Sequence, residues 1–333
     1  MQPITASIPG PAPVLTVMVL VPLAGALLLW FVPPLRGLAR GVGLVFSLGA
    51  LGVGIWAMAL FDPGSGGTVQ LAETRPWIPT LGISWALGVN ALGLAMLLLA
   101  AFLVPLVLLA GWGEIPAEHQ ALFTALVLAL EAFVVVIFSA RDVFLFYVCF
   151  EAMLVPVYVL IGRFGGPDRQ RAALKFLLYS LAGGLVMLVG VVALFFYGPR
   201  TETGYLIGSL AGSLSAPPAA ARWIFASFMI AFAIKAPLVP LHTWLPDAAE
   251  QATPGTSVLL IGVLDKIGTY GMIALVLPLF PEAAAWAAPV VLVLAVVGII
   301  YGGLAAIGQD SLYRLISYTS ISHFGFMVLG IFI

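Results

Sequence analysis

Long apolar runs recur along the whole chain and constrain its fold more than any other feature. Only 8% of the 333 residues are charged, and apolar stretches long enough for a helix to cross a bilayer, about 18 residues or more, are frequent. Lipid offers no partners to backbone polar groups, so helices are the fold that runs of this length favour. We therefore predict an all-α polytopic membrane protein. The ten predicted spans lie near residues 13–32, 41–61, 86–110, 118–139, 143–162, 171–197, 222–250 (interrupted), 256–279, 286–307 and 312–333.

Residues 222–276 differ from an ordinary membrane anchor. The segment is apolar, yet it contains four prolines and several ionisable side chains. Those side chains are Lys235, His242, Asp247, Glu250, Asp265 and Lys266. A lysine or aspartate at the centre of a spanning helix costs about 2.5–3.5 kcal/mol, so such groups usually face a polar interior or a proton path. Because proline removes helix hydrogen bonds, we predict two helices here, of which the first is interrupted, and a role in transport.

Other classes of function find little support in the sequence. Cys149 is the only cysteine, which excludes an intrachain disulfide and a cysteine metal cluster. His119, His242 and His323 lack metal-ligand spacing, and no phosphate-binding glycine loop or GxSxG motif occurs. The net charge of -1 gives no basic surface for nucleic acid. We expect no metal and no cofactor in this chain.

The distribution of basic residues predicts the orientation, because cytoplasmic loops are enriched in lysine and arginine. With the N-terminus outside, seven basic residues fall in inside loops and four in outside segments. The inside residues are Arg36, Arg40, Arg163, Arg169, Arg171, Lys175 and Arg314, and the outside residues are Arg75, Arg141, Arg200 and Arg222. We therefore predict an external N-terminus and a cytoplasmic loop at 162–175. Segments 62–85, with a possible hairpin, and 198–221 are predicted to be external.

Four charged residues lie near the predicted membrane midplane. Glu151 and Lys266 each lie about ten residues into a predicted span, or roughly 15 Å at the helical rise. Lys235 and Glu131 lie at comparable depths. Opposite charges at similar depth are stable in lipid chiefly when they meet. We therefore predict that Glu151 and Lys235 form an interior pair.

Each of these residues also has a structural interpretation. Glu151 and Lys235 can form a static pair that joins two helices, and Glu131 can pair with an arginine or a hydroxyl as a packing device. His242 and His323 can be hydrogen-bonded interior side chains. These alternatives remain open at this stage.

The remaining acidic residues of the stretch at 222–276 admit the same alternatives. Asp247 and Glu250 can cap or solvate the end of the interrupted helix. Asp265 adjoins Lys266 but lies about 100° from it on a helix, so the two cannot simply neutralise each other along one face. A purely structural Lys266 is therefore harder to accept.

Three runs carry a family resemblance. They are RDVFLFYVCFEAMLVPVYVLIGRFGG (141–166), FAIKAPLVPLHTWLPDAAEQATPGTSVLLIGVLDKIGTYG (232–271) and LISYTSISHFGFMVLG (315–330). They resemble the antiporter-like subunits of respiratory complex I, and the match extends over about 118–333. The sequence departs from the family pattern at Ala249, where a histidine is usual, and at Asp265, where a leucine is usual.

The resemblance implies proton translocation through buried half-channels, driven by quinone reduction elsewhere in an NADH-quinone oxidoreductase. Glu151 and Lys235 match the family's coupling pair, and Lys266 matches its central proton-carrying lysine. Further candidates for the proton path are His242, His323, Glu131 and Asp265.

The resemblance also implies an inverted-repeat fold and a set of partners. Residues 1–117 correspond to the N-terminal helices, 118–279 to the first five-helix repeat, and 280–333 to the start of a second repeat that we expect to be incomplete. The expected partners are neighbouring membrane subunits of complex I and the lipid bilayer, in a bacterial plasma membrane. FMN, iron–sulfur clusters and quinone are implied in partner subunits. A subunit of an Mrp-type cation/proton antiporter and a structural scaffold are the alternative functions.

Overall fold

Helices make up most of the computed structural model, which describes residues 7–333. Within this range ten helical segments are long and apolar enough to cross a membrane. The predicted all-α polytopic class is confirmed, and the protein is an integral multi-pass membrane protein. The helices are α1 (Val14–Phe31), α2 (Ala39–Leu60), α3 (Ala91–Ala110), α4 (Ala117–Ser139), α5 (Val143–Ala152), α6 (Leu154–Phe164), α7 (Arg169–Tyr197), α8 (Ile207–Leu210), α9 (Pro218–Lys235), α10 (Trp244–Gln251), α11 (Pro254–Leu259), α12 (Lys266–Gly271), α13 (Leu277–Leu279), α14 (Pro281–Ile307) and α15 (Leu312–Phe332).

The chain forms two compact units. The first comprises Met1–Leu160 with Arg200–Ser209, and the second comprises Ile161–Pro199 with Leu210–Ile333. These units are not the predicted segments 1–117, 118–279 and 280–333, which follow the sequence repeats of the family. That division stays a prediction.

Small residues allow the helices of the first unit to approach closely. A Cβ on Gly25 of α1 would lie 2.7 Å from the ring of Phe46 on α2 and 2.9 Å from Leu128 on α4. Gly43 of α2 packs in the same way against Thr124 of α4. Lipid tails are as apolar as the side chains, so close packing of this kind, rather than hydrophobic burial, stabilises the association of helices in a bilayer.

A three-stranded sheet follows the predicted hairpin. Strands β2 (Val69–Ile78) and β3 (Ile83–Val89) pair antiparallel, which confirms the hairpin, and β1 (Ser7–Pro9) pairs parallel with β2. Gly82, with φ of 72°, permits the turn between β2 and β3. The predicted start of the third span at residue 86 is wrong, because residues 86–89 continue β3. A short buried apolar strand cannot be told from the start of a helix by hydropathy.

Two further segments of the first unit bond to this sheet. The N–H of Arg141 donates to the carbonyl of Ala86 at 2.8 Å, and the N–H of Ile207 donates to the carbonyl of Arg141 at 2.9 Å. The N–H of Tyr205 reaches the carbonyl of Gly82 at 3.1 Å. Two spans separate each of these segments from the next along the chain. They therefore emerge on the same side of the membrane.

Two connecting segments are shorter than predicted. Of the expected loop 162–175, only residues 165–168 lie between α6 and α7. The expected loop 198–221 contains the single-turn helix α8, and its end already belongs to α9. The predicted loops were too long because polar and small residues at the ends of helices resemble loop residues in sequence, although their backbone is helical.

The predicted interruption in the second unit is confirmed between α9 and α10, at residues 236–243. Pro237 and Pro240 fall in this segment and cannot supply the N–H groups that a continuous helix requires. The indole N–H of Trp244 donates to the carbonyl of Ile234 at 2.9 Å, so a carbonyl freed at the end of α9 is satisfied inside the protein.

Two π-helical turns interrupt the next span. Leu260–Leu264 lies between α11 and α12, and Met272–Val276 lies between α12 and α13. Such turns often occur at functional sites. The intervening helix α12 touches α9 directly at Gly268, where a Cβ would lie 2.6 Å from both the carbonyl oxygen of Phe232 and the backbone nitrogen of Ala236.

Helices α14 and α15 also pack through glycine. A Cβ on Gly302 would lie 2.7 Å from the backbone nitrogen of Ser322, and one on Gly325 would lie 2.7 Å from the carbonyl of Ala295. The hydroxyl of Ser322 donates to the carbonyl of Ile299 at 2.9 Å. These contacts define the face of α15 that packs against α14.

Candidate functional site

Lys235 is buried at the C-terminal end of α9. Its side chain is 1% exposed, and its Nζ lies 5.1 Å from the centre of the Phe176 ring. Phe176 packs in turn against Trp244 of α10 at 5.3 Å between ring centroids. The negative end of the helix dipole and the face of an aromatic ring both favour a cation. The interruption of the span thus creates the environment of this lysine.

Asp265 directly precedes the short helix α12, and Lys266 is the first residue of that helix. Asp265 is 0% exposed, and within residues 7–333 neither of its oxygens has a hydrogen-bond partner. Its carboxylate interacts electrostatically with both Lys235 and Lys266. Lys266 is partly buried and donates a hydrogen bond from Nζ to the carbonyl of Ile261 at 3.1 Å. Ile261 belongs to the first π-turn, so that turn supplies an acceptor for the lysine.

Lys266 and His323 line one cavity of about 350 Å³. His323 lies on α15, and the hydroxyls of Thr319 and Ser320 line the same space. Two of the residues proposed from the sequence are therefore brought together. Apolar side chains line the rest of this space.

His242 lies in the interrupted segment and is enclosed by aromatic rings. Its imidazole is 4.9 Å from Tyr301 and 6.4 Å from Tyr318 between centroids, and the two tyrosine rings are 6.3 Å apart. The side chain is 4% exposed, and Nδ1 has no hydrogen-bond partner in the described part of the chain. The structure therefore does not support the simple alternative of a hydrogen-bonded interior histidine at Nδ1.

An ionic cluster around α10 was not predicted. Asp247 accepts hydrogen bonds from Nζ of Lys175 on α7 at 2.7 Å and from Arg314 on α15 at 2.9 Å. Arg314 also binds Glu250 at 3.1 Å. Asp247 and Glu250 are three residues apart on α10, a spacing that could have indicated a shared cationic partner. Nothing in the sequence indicates that Lys175 and Arg314 are the partners of these acids.

Glu131 and Glu151 belong to the first unit. Glu131 is 1% exposed on α4, and across the described residues neither of its carboxyl oxygens has a hydrogen-bond partner. Glu151 lies in the last turn of α5, two residues before Met153, which separates α5 from α6. Glu151 and Lys235 belong to different compact units, and their pairing stays a prediction.

Asp142, outside the spans, is a buried acid that the sequence did not single out. It caps α5 by accepting the N–H groups of Phe144 and Leu145, and it also accepts the N–H of Ser84 on β3. Burial raises the pKa of Asp142 to about 6, although these hydrogen bonds oppose the rise. Burial, with the nearby Asp142, also raises the pKa of Tyr205 to about 12. This acid joins the sheet to a spanning helix.

Between residues 7 and 333, no three His, Cys, Asp or Glu side chains come together as a possible metal site. Among the described residues of the second unit, Lys235, Asp265 and His242 are buried, and Lys266 is partly buried. These are groups that can bind and release protons.

Comparison with family models shows which family the chain belongs to. A family model described as "NADH:quinone oxidoreductase/Mrp antiporter, TM" matches residues 140–333. The chain belongs to this family. The resemblance to antiporter-like subunits of complex I, which rested on three sequence runs, is thereby confirmed.

Relatives of the family extend the match to nearly the whole chain. NADH-quinone oxidoreductase subunit M of Mycobacterium tuberculosis is 44% identical over 96% of this chain and 64% of its own length. NAD(P)H-quinone oxidoreductase chain 4 2 of Thermosynechococcus vestitus is 39% identical over 96% of this chain and 59% of its own length. The chain thus spans about three fifths of the length of these relatives.

Solved structures of the family share the fold. A chain of respiratory complex I from Thermus thermophilus with bound NADH aligns with a TM-score of 0.81 and 33% identity, covering 96% of this chain and 64% of that one. A chain of the Mrp complex from Dietzia sp. DQ12-45-1b also gives a TM-score of 0.81, with 21% identity over 96% of this chain and 34% of that one. The second likeness concerns the fold alone.

Proposed function

We propose that this chain is a proton-translocating membrane subunit of an NADH-quinone oxidoreductase. Its similarity to the relatives named for that complex supports this function. Within the chain, the observation that carries the proposal is the cavity lined by Lys266 and His323, because it joins two proton-binding side chains on neighbouring helices.

Lys266 is the proposed central proton carrier. Its ammonium group donates to the carbonyl of Ile261 and lines the same cavity as His323, so it can release its proton to water or to His323 and bind another. Lys235 is the proposed regulator of this step, since its charge acts on the carboxyl adjoining Lys266. Glu151 is the proposed partner of Lys235, while His242 and Glu131 are proposed to extend the proton path.

The proposed partners supply the driving force. Neighbouring membrane subunits surround the chain in a bacterial plasma membrane, and its N-terminus is external. FMN, iron–sulfur clusters and quinone belong to partner subunits, where NADH is oxidised and quinone reduced. The residues of this chain move protons and carry out no electron transfer.

An Mrp-type cation/proton antiporter subunit is the second candidate. The family includes both kinds of protein, and the fold matches a chain of each with the same TM-score. The 44% identity to a relative named as a subunit of NADH-quinone oxidoreductase favours the first candidate. Purified intact, the complex should contain NADH-oxidising subunits. Proton uptake driven by a sodium gradient, without NADH, would favour the antiporter.

The function is tested by replacing Lys266 in the reconstituted complex. Lys266→Arg keeps the charge but not the ability to release a proton readily, and Lys266→Ala removes both. We expect each change to slow proton transfer through this chain by roughly 100-fold, as is typical when a positioned acid or base is lost. The measurement is proton uptake into vesicles per NADH oxidised, at matched subunit content.

Val258→Ala serves as the control for these variants. Val258 lies on the same span and is 45% exposed, so its truncation should leave proton uptake unchanged. Normal uptake in both Lys266 variants would contradict the proposal and support a structural scaffold.

A further inference from the structure

The packing around Asp265 does not explain why an acidic side chain is buried at this position. It is fully buried, and its carboxyl oxygens form no hydrogen bond with any residue from 7 to 333. A buried carboxylate without hydrogen bonds is costly unless opposite charges compensate it or a proton neutralises it. The carboxyl group of Asp265 must therefore be compensated by nearby positive charge, be protonated, or both.

The geometry of α12 places Asp265 between two lysines. Gly268 marks the side of α12 that touches the end of α9, next to Lys235, and Lys266 lines the cavity shared with α15. At 3.6 residues per turn, Asp265 is about 60° from Gly268 and about 100° from Lys266 around the helix. It thus occupies the flank between the α9 contact and the cavity, and it interacts electrostatically with both lysines.

The charge balance of these three groups favours a shared proton. With both lysines and the carboxyl ionised, the trio carries a net positive charge, and two of its members, Lys235 and Asp265, are buried. With one lysine neutral, the trio carries no net charge, which lowers the cost of burial. A proton can then pass from one lysine to the other through the carboxyl without any change in that total.

We propose that Asp265 is a proton-relay residue between Lys235 and Lys266. In the first step Nζ of Lys235 gives a proton to the carboxylate, leaving a neutral amine and a carboxylic acid. In the second step the acid gives that proton to the neutral amine of Lys266, which becomes an ammonium while the carboxylate is restored. One proton has moved, and no other reactant is needed. The relay rests on the proposed function of Lys266 and adds a donor to it.

A static counter-charge is the competing role for Asp265, and infrared difference spectroscopy separates the two. A relay carboxyl is protonated during turnover and gives a carboxylic-acid C=O band that shifts in heavy water. A static carboxylate gives no such band. We expect the band in the parent complex after addition of NADH, its absence in Asp265→Asn, and its persistence in Lys266→Ala, where the acceptor is missing.

Proton uptake per NADH is measured on the same samples. Asp265→Asn should slow proton transfer through this chain by roughly 100-fold, while Asp265→Glu should retain most of it, because a carboxyl remains. Asp310→Asn, at an exposed acid in the loop before α15, is the matched control and should change neither uptake nor the band.

The results distinguish the relay from the proposed function. Loss of uptake in Lys266→Ala with normal uptake in Asp265→Asn would leave the function standing and overturn the relay. Normal uptake in both variants would overturn both. If Asp265→Asn does not assemble, the parent and Asp265→Glu decide. The band must then appear in the parent and change frequency in the glutamate variant, and its absence from the parent rejects the relay.

Discussion

Asp142 is a single residue whose ionisation should change the stability of the fold. Burial raises its pKa from 3.8 to about 6. The folded state therefore holds this proton more tightly than the unfolded state, and the free energy of unfolding falls as pH rises through about 4 to 6. The loss reaches about 3 kcal/mol by neutral pH, at about 1.36 kcal/mol per pKa unit. Thermal unfolding in detergent should show Asp142→Asn gaining stability relative to the parent over this window.

Asp62 provides a control of opposite sign. It is an exposed acid whose pKa is lowered by hydrogen bonds from the side chain of Ser65 and the N–H of Gly64. Its contribution to stability is present above its ordinary pKa of 3.8 and is lost only as pH falls through a lower value. The difference between Asp62→Asn and the parent should stay constant from about pH 5 upward. A similarly constant difference for Asp142→Asn would contradict the prediction.

At the scale of elements, the position of α10 depends on side chains from α7 and α15. Lys175 binds both Asp247 and the carbonyl of Thr243, each at 2.7 Å, while Arg314 binds Asp247 from the other side. Partly exposed ion pairs contribute about 0.2–1 kcal/mol each, so Asp247→Asn should lower the free energy of unfolding by about 1 kcal/mol. A double-mutant cycle with Lys175→Gln, measured by denaturant unfolding in detergent, should give a coupling energy of about 0.5 kcal/mol or more.

The same cycle with Asp310→Asn in place of Asp247→Asn is the control for α10. Asp310 is exposed in the loop before α15, and its coupling to Lys175 should be close to zero. Equal coupling energies for the two acids would show that the effect reflects general charge rather than the contacts of Asp247.

The sequence indicated elements whose signal is local and missed those that depend on distant partners. Long apolar runs predicted the spans, and Pro237 with Pro240 predicted the break after α9, because both effects act on the backbone of the same segment. The π-turns on either side of α12 leave no comparable signal. The cluster at Asp247 also escaped prediction, since Lys175 lies 72 residues earlier and only the folded chain brings the two together.

At the scale of the whole molecule, the orientation of the chain in the membrane is the principal prediction. The excess of basic residues predicts that residue 170 is cytoplasmic and that residues 67 and 202 are external. In a Cys149→Ala background, an impermeant thiol reagent added from outside should label Gly67→Cys and Glu202→Cys but not Gln170→Cys.

One part of this prediction depends on the number of spans and not on the distribution of charge. An even number of spans separates residue 67 from residue 202, so their cysteines must be labelled from the same side. Labelling from opposite sides would contradict the number of spans. If only Gln170→Cys were labelled from outside, the number of spans would be correct but the orientation of the chain would be opposite to the predicted one.

The sheet of the first unit sets an order for biosynthesis. Strand β1 is made first, yet its neighbour β2 is made only after α1 and α2, and the backbone of Tyr205 reaches the turn beside β3 only after six spans have been synthesised. At about 5–20 residues per second, roughly 10–40 s pass between β1 and Tyr205. During that interval the earliest helices of the nascent protein can depend only on their own glycine-mediated packing, and the hydrogen bonds of the sheet are completed late in membrane insertion.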